Sequence, residues 1–359
     1  MAPKINICIT CVGGRLIYDI IRSIRDADDY KANIIGVDAN KDAHGRLLCD
    51  KFYLVPDSER QPKKWLQSIL QINKSDKIDV LLVFSEGETL IISENKSIFK
   101  KNKIKIAVND YNKVINLIDK YILMKSLKEN GLDVGVFSKI DSKNDFLNIA
   151  KKIGYPSKKI VFKPRISRGS RGVLIADKNL KQVKHLVPGR FCLSANLNLL
   201  LNECTNNGVK FEKLLCMPHY KGAVWDVDLL ADNGNIINIA ARVRQLKNPY
   251  WPTSTGHKSS NLKKIIDYAT KVCTILKLSG PNDFDIVLDE KGSPKILDAA
   301  SRYSGSVGVS YVSGINMLSQ TIRYILKLPY KKFRFKKGLV LRPYTTMTSI
   351  PAKNELDFL

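Results

Sequence analysis

The sequence predicts an α/β protein in which an N-terminal parallel βαβ unit precedes an α+β region. Three observations predict it. Short β-branched apolar runs alternate with helically spaced stretches up to about residue 115. From about residue 206, β-rich runs follow one another with turn residues between them. Between these regions lies "KPRISRGSRGV", Lys163 to Val173, a loop of cations and glycines set between the strand-like runs "KKIVF" and "LIAD".

The elements follow in order. Residues 5–12 are an apolar strand, "GGR" breaks it, and "LIYDIIRSIRD" has helical spacing. "ANIIGVD", "KFYLVP", "IDVLLVF" and "KIKIAVN" are further strands, "WLQSILQIN" is a helix, and "SEGETLIISENKSIF" follows the fourth strand. This alternation argues for a parallel sheet. "NLIDKYILMKSLKENG" reads as a single helix from Asn116, stopped by Gly131. "VFSKI" is a strand, "NDFLNIAKKIG" a helix, and "FCLSANLNLLLNECTNNG" weakly helical. "EKLLCMPHY", "VWDVDLLA" and "IINIAARVRQ" are strands with turns at "YKGA" and "DNGN". "NLKKIIDYATKVCTILKLSG" is a long helix, "DFDIVLDEKGSPKILDAASRYSGS" two strands around a turn, and "FRFKKGLVLRPYTTMTSI" a β-rich tail. The expected units are 1–115, 116–205, 206–325 and a β extension over 326–359.

At 359 residues the chain exceeds what one core usually serves. Hydrophobic content of 44% and charged content of 26% are ordinary for a globular protein. No window of 18 residues is wholly apolar, so no membrane span is expected, and the start lacks a secretory pattern. Seven scattered cysteines suit a reducing cytoplasm. Cys8 and Cys11 form a C-x-x-C, but offset three in a strand puts them on opposite faces, so they read as buried cysteines. The net charge of +25 is mostly dispersed lysine, without an arginine-rich tail. It reads as surface charge that favours small anions, with no nucleic-acid partner expected. Gly13 and Gly14 lack the G-x-G-x-x-G spacing of a dinucleotide site.

The loop chemistry is that of a phosphate cradle. Gly169 and Gly172 expose backbone N–H groups, Lys163, Arg165, Arg168 and Arg171 supply charge, and Ser170 adds a donor. It is not a P-loop, and composition alone suits a solvated hairpin tip equally. In the later hairpin, a symmetric register sets Asp285 opposite Asp298 and Asp283 opposite Ala300. Two such carboxylates repel unless a cation or proton lies between them, and Mg²⁺ takes such oxygens. A solvated hairpin whose acids never converge is the alternative. Arg242 and Arg244 alternate on one strand face, either as a carboxylate clamp or as solvated surface charge. Glu86 and Glu88 follow the fourth strand, where a doubly wound sheet places ligands. "PTSTGHKS" reads as a polar loop with His257 in it.

"FKPRISRGSRGV" resembles the glycine-rich loop of the ATP-grasp superfamily, in its carbamoyl-phosphate-synthase-like, carboxylate–amine ligase branch. Other segments resemble the family in its order: "DKYILMKSLKENGL", "HYKGAVWDVDLLADNGNIINIAARVR" and "FDIVLDEKGSPKILDAASRYSGS". "GVDANKDAHGRLLCDKFYLVP" resembles part of the domain that precedes the grasp fold. The resemblance covers about residues 5–325. It implies an ATP-grasp fold of two α+β subdomains behind a Rossmann-like domain. It implies ATP as cofactor, held by Lys120, Lys163, Arg168, Gly169, Ser170, Arg171, Gly172, Val173, Met217 and Pro218. It implies Mg²⁺ or Mn²⁺ on Asp285 and Asp298, with Arg242, Arg244 and Arg302 as catalytic residues. The implied reaction is ATP-dependent joining of a small-molecule carboxylate to an amine through an acyl phosphate. A homodimer is compatible with it. The chain departs from the family pattern at Ala300, where Asn is usual, at Pro218 in the hinge, and near Val224, where an acid holds ribose. Asp283, Ser301 or water could replace the missing oxygen. The alternative is a nucleotide-binding regulatory protein with reduced catalysis.

Overall fold

The computed structural model describes residues 2–167, 169–245, 249–251 and 255–343. Three sheets organise the chain. In the first, β1 (Lys4–Thr10), β2 (Lys31–Asp38), β3 (Lys51–Leu54), β4 (Val80–Leu82) and β5 (Lys105–Ile106) run parallel in the order β3-β2-β1-β4-β5. The side-chain period of two divides β1 between two cores. Ile5, Ile7 and Ile9 pack with the helix Ile17–Arg25 and with Met317, Leu318 and Ile322. Cys8 packs on the other face with Trp65, Ile69 and Phe99.

The second sheet holds β6 (Ser138–Lys139), β7 (Ile160–Pro164), β8 (Leu174–Ala176), β9 (Lys184–His185), β10 (Leu193–Ala195) and β11 (Leu214–Pro218), in the order β6-β11-β7-β8-β10-β9. β7 and β8 are antiparallel, so the glycine-rich loop is their hairpin connection. β11 belongs to this sheet although it lies beyond the division expected at residue 205.

The third sheet is antiparallel: β12 (Val224–Asp232), β13 (Asn235–Arg244), β14 (His257–Ser259), β15 (Gly280–Leu288), β16 (Pro294–Ala300) and β17 (Val340–Leu341), ordered β16-β15-β12-β13-β14-β17. Asn233 and Gly234, both with positive φ, make the tight turn from β12 to β13. Trp225, Val227, Leu229 and Ala231 face a core shared with the helices Lys120–Glu129 and Lys263–Leu276. The intervening Asp226 and Asp228 face the other way, toward the cleft side.

The helix expected as one piece from Asn116 is two, Tyr111–Ile118 and Lys120–Glu129. Asp119 separates them. Its backbone is extended, and its side chain accepts from the N–H groups of Tyr121 at 2.9 Å and Ile122 at 3.2 Å, capping the second helix. "FCLSANLNLLLNECTNNG" is β10 followed by the helix Leu197–Asn206, capped by Asn196. Of the β-rich tail only β17 falls within the described residues. Among those residues no helix is long and apolar enough to cross a membrane.

Candidate active site

A cleft of about 580 Å³ opens between the second and third sheets. Lys120, Lys163, Gly169, Ser170, Arg171, Val173, Met217, Pro218, Arg244, Asp285, Asp298 and Arg302 all line it. Gly172 lies in the same hairpin loop, and Arg168 lies outside the described residues. A second groove, about 670 Å³, lies between Tyr121, Lys125, Phe137 and Asp145 and holds none of these residues.

The floor is a cross-strand row. Asp226 of β12 sits opposite Asp285 of β15, which sits opposite Asp298 of β16. One step along, Asp228, Asp283 and Ala300 form the next row. Directly opposed residues share a face at close range, so adjacent carboxylates demand positive charge. Arg244 supplies it. Its guanidinium grips Asp226 through Nε at 3.0 and 3.1 Å and reaches Asp285 through Nη2 at 2.6 Å. Lys120 Nζ lies 3.1 Å from Asp298 and donates to the Ser167 carbonyl at 2.6 Å. Burial pushes the Asp285 carboxyl up to about 6 against the pull of Arg244.

Register decides where Lys163 goes. The predicted pairing of Asp285 with Asp298 is present, but past it Ile286 pairs with Ile296. Leu297 is thus a bulge residue without a ladder partner. Its carbonyl accepts from Lys163 Nζ at 2.6 Å, across the cleft from β7. Lys163 is 8% exposed. Burial, and then the charge of Lys120, lowers its ammonium to about 8.

The loop's shape rests on its glycines. Gly169, Ser170 and Gly172 all have positive φ. A Cβ on Gly172 would stand 2.6 Å from Pro164 Cγ, so that position has no room for a side chain. Its N–H donates to the Phe191 carbonyl at 2.7 Å. At the loop base, Arg165 pairs with the helix-capping Asp119 at 2.6 Å, and the Lys120 N–H donates to the Arg165 carbonyl at 3.0 Å.

Three positions differ from the sequence reading. Arg242, expected beside Arg244 as a clamp, is not on the cleft surface. It is 1% exposed and ion-paired with Asp228. It also donates to Ser304 at 2.7 Å, Ser306 at 2.9 Å and Ser310 at 3.2 Å. Its face is right, but strand Arg242 is covered by the chain after Arg302, which alternation cannot reveal. His257 is not on a polar loop: it is buried in β14, with Nε2 2.8 Å from Asp226. Ser301 accepts from Asn109 at 2.8 Å and is no substitute for the missing oxygen at Ala300. Asp283 fits better. It lines the cleft opposite Ala300, and its Oδ1 is buried without a partner. Asp285 and Asp298 are oxygen donors of the kind a hard divalent cation takes, but they are paired with Arg244 and Lys120, and among the described residues no three acids, histidines or cysteines are grouped closely enough to ligate a metal.

Arg302 reaches back to the first unit. It pairs with Glu86 at 2.8 Å, at the start of the helix Glu86–Glu94. Glu88 is instead buried, accepting from Thr10 Oγ1 at 2.5 Å and completing a capping box with Ser85. Cys8 is buried, whereas Cys11 lies past the end of β1 with φ 55 and its Sγ 3.7 Å from the Glu88 carboxylate. Asp226 and Asp228 were missed. Their signal was two acids at offset two in an apolar strand, facing two arginines at offset two across a turn at Asn233-Gly234.

Residues 210–347 match the family described as ATP-grasp in the biosynthetic pathway with Ter operon, and residues 7–107 match the PylC-like N-terminal domain. No curated protein matches the chain by sequence. Solved structures share its fold. An L-amino acid ligase from Bacillus licheniformis aligns with a TM-score of 0.63 at 14% identity, over 91% of this chain and 75% of that one. Biotin carboxylase from Campylobacter jejuni aligns at 0.64 and 16%, over 92% and 73%. N5-carboxyaminoimidazole synthetase from Staphylococcus aureus, complexed with ADP, aligns at 0.65 and 13%, over 93% and 81%. A hairpin cradle facing an acidic row, with both matched segments in order, gives this chain the ATP-grasp fold behind a region similar to the PylC-like N-terminal domain.

Proposed function

We propose that the chain is an ATP-dependent ligase that activates a carboxylate as an acyl phosphate and joins it to an amine, releasing ADP and phosphate. The observation that carries this reading is the convergence of Lys120, Lys163 and the glycine-rich hairpin on Asp285 and Asp298 across one cleft. Phosphoryl transfer spreads negative charge over the moving group, so preplaced cations are the main catalytic need. Lys120 and Lys163 hold the phosphates. The 165–173 loop covers them and excludes water, which protects an acyl phosphate from hydrolysis. Met217 and Pro218 offer backbone groups to the adenine. Asp285 and Asp298, with Asp283 in reserve, would hold Mg²⁺ or Mn²⁺ once freed from Arg244 and Lys120, and the ion would neutralise phosphate charge. Arg244 and Arg302 face the carboxylate and the tetrahedral intermediate formed on amine attack. An arriving carboxylate competes with Glu86 for Arg302, and the freed Glu86 carboxylate then faces the amine.

Calorimetric titration of ATP, with and without Mg²⁺, tests the nucleotide half. Wild type should bind in a magnesium-dependent way. Lys163→Ala should weaken binding by about 30- to 150-fold, the worth of a charge-assisted hydrogen bond of about 2–3 kcal/mol. No binding at millimolar ATP would rule the ligase out. A screen of carboxylate–amine pairs for ADP release then tests the chemistry.

A further inference from the structure

The mouth of the cleft carries charge of a different kind from its floor. Arg15 follows β1 through Gly13 and Gly14, and its guanidinium lies over the Trp251 ring, 5.6 Å from the centroid. The neighbouring Tyr250 carbonyl accepts from Ser170 Oγ of the glycine-rich loop at 3.1 Å. In that loop, the Nη1 atoms of Arg171 and Arg190 both lie 3.4 Å from the point where a Cβ on Gly169 would stand. Arg190 comes from the turn between β9 and β10 and donates to the Gly169 carbonyl. Arg171, Arg190 and Trp251 line the cleft. Burial, and then the charges of Arg171 and Arg15, pushes the Arg190 guanidinium down from its ordinary value.

Deeper in the cleft three cations have acids, Lys120 with Asp298, Arg244 with Asp285 and Arg302 with Glu86, while Lys163 is held by the Leu297 carbonyl. Among the described residues, Arg15 and Arg190 have no ion pair with an acid. Guanidinium groups brought together from separate segments repel unless an anion lies among them. Their planar donors match carboxylate and phosphate two bonds at a time. The nucleotide's phosphates already have Lys120 and Lys163.

We propose that Arg15, Arg171 and Arg190, gathered around Trp251, form an anion subsite for the non-nucleotide substrate. That substrate then bears a carboxylate or phosphate group remote from the bond being made. The subsite rests on the ligase reading. Its role is positional, since binding energy from a remote group holds the reacting end in place.

Trp251 fluorescence offers the test, because Trp65 and Trp225 are only 1% and 7% exposed. Wild type, Arg15→Ser and Arg190→Ser would first be titrated with a non-hydrolysable ATP analogue and Mg²⁺ by calorimetry. Saturated protein would then be titrated with inorganic phosphate or with glutarate. Wild type should bind one of the two, at least about tenfold more tightly than either variant. Analogue affinity should stay within about twofold between wild type and Arg15→Ser, because among the described residues Arg15 makes no contact with the glycine-rich loop or the phosphate lysines; Arg190→Ser, which loses a bond to the Gly169 carbonyl, is compared only at analogue saturation. A response to phosphate identifies a phosphorylated substrate, and a response to glutarate a carboxylate one. The subsite is overturned if wild type binds neither anion, or if the variants bind as well as wild type. Failure of the analogue to bind wild type removes the ligase reading itself, and the subsite with it. Arg15 is exposed and Arg190 half-buried, so loss of fold does not confuse the result.

Discussion

On the floor of the cleft, Arg242 and Arg244 of β13 are matched by carboxylates of β12 and β15. On the hairpin jaw, Lys163 donates to the Leu297 carbonyl and Arg190 to the Gly169 carbonyl. Both regions carry cations held by hydrogen bonds, yet they are opposite in electrostatic state. A carboxylate cancels an arginine's charge, whereas a carbonyl dipole satisfies a donor and leaves the charge in place. The floor is therefore neutralised and held by ladder and ion pair together. The jaw keeps a positive field, which is what a closing cover over phosphates needs.

The strongest way to break this contrast is to remove a floor partner. Asp228→Ala leaves the Arg242 charge buried and unpaired, and should cost about 3–5 kcal/mol of stability in chemical denaturation. Replacing both partners, as Asp228→Leu with Arg242→Met, should recover much of that loss. A cost below about 1 kcal/mol for the single variant would mean that the pair does not hold the floor.

A jaw variant should act through backbone shape. Gly172→Ala places a Cβ at φ 77 against Pro164. It should cost about 1–2 kcal/mol from the left-handed backbone alone, and weaken ATP analogue binding as the loop shifts. Equal affinity in calorimetry would show that loop shape is not what admits the nucleotide.

The smallest effect is a pH dependence on the floor. Burial lowers the pKa of His257 below 6.5, with the hydrogen bond to Asp226 acting in the opposite sense. The unfolded chain therefore takes up a proton near 6.5 that the folded ring resists. Stability from this group is fully present above that pH and is lost as pH falls from about 6.5 toward the folded value. The slope cannot exceed about 1.4 kcal/mol per pH unit. His257→Gln should flatten the stability curve between pH 7 and 5 relative to wild type. An unchanged slope would exclude His257 as its source.

Much of this was legible before any coordinates. The alternation through residue 106 announced the parallel sheet, and Asn233-Gly234 announced the β12–β13 turn. Counting outward from "DEKGSP" set Asp285 against Asp298, and that pair is present although the ladder beside the turn runs one residue off the symmetric count, because the Leu297 bulge restores it. The break at Asp119 was also written there, as a capping residue ahead of Tyr121, but apolar spacing on either side concealed it.

What alternation supplied was the face on which each charge lies; it could not say what covers that face. Arg242 and Arg244 carry the same pattern, yet one is sealed under Ser304, Ser306 and Ser310 while the other opens on the cleft. Glu86 meets Arg302, and Arg15 meets Trp251, only because the first sheet docks against the third. The Leu297 bulge, which turns a carbonyl toward Lys163, likewise comes from matching two strands already held by their neighbours. Local sequence determined the strands, turns and caps through short-range sterics and hydrogen bonding. Which charges are neutralised and which are left for a ligand was decided by tertiary packing, because Coulomb energy depends on distances between segments far apart in the chain and on the solvent excluded between them.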